Sequence, residues 1–264
     1  ELLARGMKPN GTLWSANALL HEKYHKLLLD THIDFIKSGA EVIVTTTFTT
    51  RKLRLMDNKV ENKFEYLNKK AGEIAQKAKK LYPNVLIAGG LPPQYLTYEA
   101  DSRPDQEIKD NFSSQAKLLN PYVDFFYLDV LTSAREIEIA CEVVEKMNMP
   151  ILVGLHLKKN GKISSGETIS KIVEEYKSNN WIGVIGACVS LEIIENSVDE
   201  FLNLNIPFGF KVNLWKIEEP TPVNSFNKSK YNEIGKNPND VLGYRDEINP
   251  EIFYNFTKKI KEKG

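Results

Sequence analysis

The sequence predicts a parallel α/β fold, with a closed eight-stranded barrel and an open doubly wound sheet in competition and the pattern tilting toward the barrel. Three observations predict it. Six short apolar runs, rich in Val, Ile, Leu and Phe, read as strands buried on both faces. Amphipathic stretches of helical period alternate with these runs along the chain. No G-x-G-x-x-G follows any of the runs, which removes the usual nucleotide-binding signal of an open doubly wound sheet. At 264 residues the chain is long enough for one α/β barrel domain.

Each element has its own warrant. Leu20, Tyr24, Leu27, Leu28, Thr31 and Phe35 fall on one helical face, which stops at Gly39. Residues 41–47 form the first strand candidate. Val60, Phe64, Leu67, Ala71, Ile74 and Ala78 make a second stripe opposed by lysines and glutamates. Strand candidates follow at 85–90 and 125–130, then a helix carrying Ala134, Ile137, Cys141, Val144 and Met147. A strand at 151–157 leads to a helix with Ile169, Ile172, Val173 and Tyr176. The strand at 184–188 precedes Ile194, Val198, Phe201 and Leu202, and the strand at 208–212 completes the six. Residues 214–249 are polar and rich in Pro, Asn and Ser, the composition of a functional lid or a disordered stretch. Phe253 and Phe256 open a last helix, whose lysines read as its solvated face.

Composition excludes several classes. Lys+Arg and Asp+Glu both number 35, so there is no basic excess for nucleic acid. No apolar stretch approaches the roughly 18 residues of a membrane span, and the first residues do not read as a signal peptide. Two cysteines do not make a disulfide framework, and a reducing cytoplasm is the expected compartment. Homo-oligomer formation is left open.

Few residues are placed to carry chemistry. Cys141 lies on the apolar face of its helix and reads as a structural thiol. Cys188 ends a strand, and in a parallel barrel the C-terminal strand ends open onto the active face. His156 is also near a strand end, whereas His21, His25 and His32 share a helix and read as surface or packing residues. Asp129 interrupts an apolar run at a strand end, so either a cationic ligand group or a Lys or Arg elsewhere in the chain must balance it. Thr45, Thr46 and Thr47 close another strand, either for β-propensity or as a row of hydroxyls at the mouth.

Several segments, in order along the chain, resemble one family. Leu13-Trp14-Ser15-Ala16, Thr31-His32-Ile33-Asp34-Phe35-Ile36 with Gly39-Ala40, and Thr45-Thr46-Thr47-Phe48 come first. Gly89-Gly90-Leu91-Pro92-Pro93 with Arg103-Pro104-Asp105, Ser165-Gly166-Glu167, Ile185-Gly186-Ala187-Cys188 and Arg245-Asp246-Glu247 follow. Together they resemble the homocysteine S-methyltransferase family. The resemblance implies a (β/α)8 TIM-type barrel, here lacking the first and last strands, as one domain over residues 1–264 truncated at both ends. It implies zinc held by three cysteines, with Cys188 as one and the other two expected beyond Gly264. It further implies homocysteine and a small sulfonium or quaternary ammonium donor as substrates. Asp129 would then hold the homocysteine ammonium, Thr46, Thr47 and Asn213 would line the mouth, and Trp215 with the loop after it would cover the donor. Asp129, Ala187 and Thr46 depart from the family's usual Glu, Asn and Asn. Two other readings stay open: methylation of another thiol or selenol, and a metal-free barrel kept as a binding protein.

Overall fold

The computed structural model describes residues 1–219 and 242–263. Six strands form one sheet: β1 (Val42–Val44), β2 (Leu86–Leu91), β3 (Phe125–Leu131), β4 (Ile151–Leu155), β5 (Trp181–Val189) and β6 (Phe208–Val212). All pairs are parallel and the spatial order is the sequence order. A doubly wound sheet reverses its strand order part-way along, so this order is that of a barrel wall. The wall is open between β1 and β6 among the described residues.

Helices cover the outer side: α1 (Ala16–Leu20), α2 (His25–Lys37), α3 (Lys52–Asp57), α4 (Phe64–Leu81), α5 (Asp105–Leu119), α6 (Ala134–Glu145), α7 (Ile169–Tyr176), α8 (Leu191–Leu202) and α9 (Pro250–Lys263). The outer core joins Phe112, Ile137, Val144, Ile172, Ile194 and Phe201 from these helices to Phe126, Leu128, Val153 and Val184 from the strands. Alternate strand residues face inward, where Ala88, Phe125 and Tyr127 pack with Leu152 and Ile185. Tyr127 occupies space that only Gly154 leaves: a Cβ there would lie 2.9 Å from the Tyr127 hydroxyl and 2.8 Å from the Leu128 carbonyl oxygen.

Three departures from the sequence expectation have a physical reason in the structure. The first helical stripe is broken at His21, which is extended, so Leu20 ends α1, Tyr24 closes a short 3-10 turn and the rest belongs to α2. The strand expected at 41–47 keeps only three residues in the ladder, because Thr45 and Thr47 turn and pair through their hydroxyls. Helix α5 is an element the apolar pattern does not announce, since polar Asn111 and Gln115 are buried among its apolar residues. Gln115 reaches the Thr47 carbonyl (3.1 Å) and Asn68 (3.0 Å), tying α5 and α4 to the end of β1. Much of the 214–249 segment lies outside the described residues.

Candidate active site

Two strand ends carry the same irregularity. The β3–β4 register shifts between Leu128 and Leu131, and the β5–β6 register shifts between Ala187 and Val189. At these bulges Val130 has φ +67° and Cys188 has φ +58°. A left-handed backbone is costly for a non-glycine residue, most of all a β-branched one, and such strain gathers at functional sites. A bulge re-aims the side chains beside it, here Asp129 and Cys188 at the C-terminal end of the wall.

Cys188 is half-buried. Its sulfur lies 3.1 Å from the Tyr98 hydroxyl, and its carbonyl accepts from Asn213 Nδ2 at 2.7 Å. Asn213 also donates its backbone N–H to the Val189 carbonyl (2.8 Å) and accepts from the Trp215 N–H (3.2 Å). Asn213 thus fixes the Cys188 backbone and the turn that carries Trp215. Tyr98 packs on His156, with ring centroids 4.4 Å apart, and meets Trp215 edge-on. Burial pushes the Cys188 thiol above its ordinary pKa, while Lys211 and the Tyr98 hydroxyl pull it down. His156 is buried and its pKa falls to about 4 by desolvation, so it is neutral and its Nδ1 pairs with the Ala187 carbonyl at 3.2 Å.

Asp129 is nearly buried, and its carboxylate is paired with the Lys211 ammonium from β6. That lysine is the balancing cation demanded by a carboxylate at a strand end. Lys211 also stands over the Tyr127 ring, 5.3 Å from its centre. The three threonines divide their roles. Thr47 is fully buried and donates to the Gly90 carbonyl (2.7 Å), with Thr45 2.9 Å away. Thr46 is half-buried between them. Phe48, next in the chain, packs in the apolar cluster of Tyr98 and Cys188.

The remaining candidates fall outside this group. Cys141 is buried in α6 against the outer core, where desolvation pushes its thiol far up. His25 Nε2 pairs with the Leu19 carbonyl at 2.9 Å, and His32 is buried beneath α2 with its pKa lowered to about 4. Zinc needs three or four protein ligands. Among the described residues no three His, Cys, Asp or Glu side chains gather to hold a metal, so Cys188 fits one vertex of such a centre and the described residues alone do not complete it.

Tyr98, Tyr127 and Lys211 are site residues that the sequence reading passed over. Lys211 had a signal, because it interrupts an apolar strand in the way Asp129 does. Tyr98 had none, since it sits in an irregular segment between β2 and α5 and only the fold brings it to the thiol.

The family model described as homocysteine S-methyltransferase matches residues 1–259. The rat protein S-methylmethionine–homocysteine S-methyltransferase BHMT2 is 26% identical over 151 residues, which is 56% of this chain and 39% of that protein. The chain therefore matches less than half the length of that curated relative. Among solved structures, the homocysteine methyltransferase MmuM from Escherichia coli in its metallated form superposes with a TM-score of 0.71 at 20% identity, covering 81% of this chain and 80% of that one. Its oxidised form gives a TM-score of 0.67 at 17% identity, covering 84% and 89%. At these identities the likeness is one of fold.

Proposed function

Because the chain belongs to the homocysteine S-methyltransferase family, we propose that it moves a methyl group from a small sulfonium or quaternary ammonium donor to the thiol of homocysteine, forming methionine. The observation that carries this reading is the convergence of the Cys188 thiol, the Tyr98 hydroxyl and the Asp129–Lys211 pair at one end of the wall, with Asn213 bracing Cys188 from behind.

In this reading Cys188 supplies one thiolate to a zinc ion. A free thiol of pKa about 8.5 is mostly protonated at neutral pH, and a zinc ion held in part by Cys188 would supply the Lewis acidity that favours its thiolate form. The residues of this chain then orient and shield. Asp129 and Lys211 face the polar end of the substrate, and Thr46 lines the mouth beside Phe48. Tyr98 donates toward the Cys188 sulfur, which favours its charged form. Trp215 covers the donor. The substrate sulfur attacks the donor methyl carbon in line; the new S–C bond forms as the donor's S–C or N–C bond breaks, and the electron pair leaves with a neutral product. No proton has to be delivered to that leaving group, which accords with a neutral His156 held against the backbone.

The test, on protein expressed from the complete reading frame, is a methyl-transfer assay with homocysteine and with other small thiols and a selenol as acceptors, across S-methylmethionine, S-adenosylmethionine, betaine and a methylfolate, with metal quantified in the same preparation. Methionine formed from a sulfonium or ammonium donor is the expected outcome. Transfer only to a different thiol or selenol would change the acceptor, and a folded protein that transfers to none would reject the enzyme reading.

A further inference from the structure

The Asp129–Lys211 pair is asymmetric in its exposure. The Asp129 side chain is 11% exposed and that of Lys211 is 44% exposed, so the carboxylate is sunk and the ammonium stands at the opening. Lys211 lies on β6 between Phe210, which packs outward on Phe256, and half-buried Val212. It projects instead to the inner side, over the Tyr127 ring. Tyr127 belongs to the inner-face cluster, and its buried hydroxyl interacts with the Asp129 carboxylate. An ammonium has three donors and a carboxylate about four acceptor sites, so one mutual contact leaves both with capacity. The charges of both residues also act on the Cys188 thiol, in opposite directions, which places the pair within electrostatic reach of it.

We propose that Lys211 takes the α-carboxylate of the substrate, beside the ammonium that the family resemblance already assigns to Asp129. This rests on the methyl-transfer reading and adds a residue that sets its acceptor specificity. An α-amino acid carries both charges on one carbon. Set against this pair, four charges alternate in sign and no net charge is buried, the condition under which ion pairs can be desolvated. A thiol with an amine but no carboxylate must compete with Lys211 for Asp129, and one with a carboxylate alone loses the Asp129 contact.

Equilibrium binding to the full chain tests this with three thioethers that need no metal: methionine, 3-(methylthio)propylamine and 4-(methylthio)butanoate. The wild type should bind methionine most tightly. In Lys211→Met, methionine affinity should fall about ten- to a hundred-fold, the size of a lost hydrogen bond between charged groups. The amine should bind as well as before or better, because Asp129 is released to it. Lys211→Arg, which keeps the charge, should retain the preference for methionine, and melting curves on both variants report folding. Methionine binding by Lys211→Met that is unchanged or tighter would overturn the proposal, as would a wild type that binds none of the three. Methyl transfer measured in parallel separates the two readings. Transfer with Lys211-independent binding rejects only the Lys211 assignment; Lys211-dependent methionine binding without transfer rejects only the reaction.

Discussion

Tyr98 shows how a single side chain tunes this site. Its hydroxyl, 3.1 Å from the Cys188 sulfur, favours the thiolate, while burial opposes it. Removing the hydroxyl in Tyr98→Phe takes away a lowering influence, so the Cys188 pKa should rise and less thiolate should be present at any given pH. The expected result is slower alkylation by iodoacetamide, with the pH–rate curve displaced upward. Cys141 is buried in the outer core and should stay unreactive in the native protein, and Cys188→Ser identifies the signal. An unchanged curve would mean that the tyrosine does not donate to the sulfur. Arg51 is a second residue whose setting only the fold reveals. It is fully buried, bonded to the Phe48 carbonyl (3.0 Å) and the Thr97 hydroxyl (3.0 Å), and braces the loops that carry Phe48 and Tyr98.

Strand-to-helix junctions are where the elements are fixed. Ser133 and Ser190 follow β3 and β5 closely and cap α6 and α8, each accepting from the backbone N–H three residues on at 3.3 Å. Capping satisfies one of the open N–H groups of a first turn. Ser190→Ala should cost about 1 kcal/mol of stability by urea denaturation. Because Ser190 is two residues from Cys188, its loss should also loosen the bulge, read as faster amide exchange at residues 188–190. Gly154→Ala acts from the inside. Its Cβ would press on both the Tyr127 ring and the Leu128 carbonyl, and overpacking of this kind costs roughly 1–3 kcal/mol. A neutral result would mean that β4 can move away from β3 without penalty.

Across the whole molecule, three buried titratable groups set an opposed pH dependence. His32 and His156 fall to about 4 in the folded state, from 6.5, both by desolvation. They remain neutral in the fold and take up protons on unfolding, so they lower stability as pH falls below 6.5. Glu136, on α6 beside Ser133 and Asp101, is raised by burial to about 7 from 4.5. Its contribution is complete below 4.5 and is lost as pH rises through 7, about 3 kcal/mol in all. Two histidines outweigh one glutamate between 4.5 and 6.5, so the sum of these three rises to a maximum near 6.5 and then declines slightly. Glu136→Gln should remove the decline and make the variant more stable than wild type above pH 7, relative to their difference at pH 5. Denaturation midpoints from pH 4.5 to 8 measure this; parallel profiles would show that Glu136 is ionised in the fold.

The sequence by itself determined the six strands, their parallel order and the strand-end positions of Cys188 and Asp129. Runs of Val, Ile, Leu and Phe and helical stripes are local records of burial, and a polar residue that breaks such a run carries its own energetic signal. It also marked Asp129 as a charge needing a partner without saying which. Only the tertiary structure decided that the partner is Lys211, 82 positions away in β6, and that Tyr98, 90 positions from Cys188, reaches its sulfur. Periodicity registers which face of an element is covered and not what covers it, because contacts between distant segments depend on how the strands are wound. The bulges at Val130 and Cys188 belong to the same class: nothing in a Val or a Cys asks for a left-handed backbone, and the strain is imposed by the register of neighbouring strands.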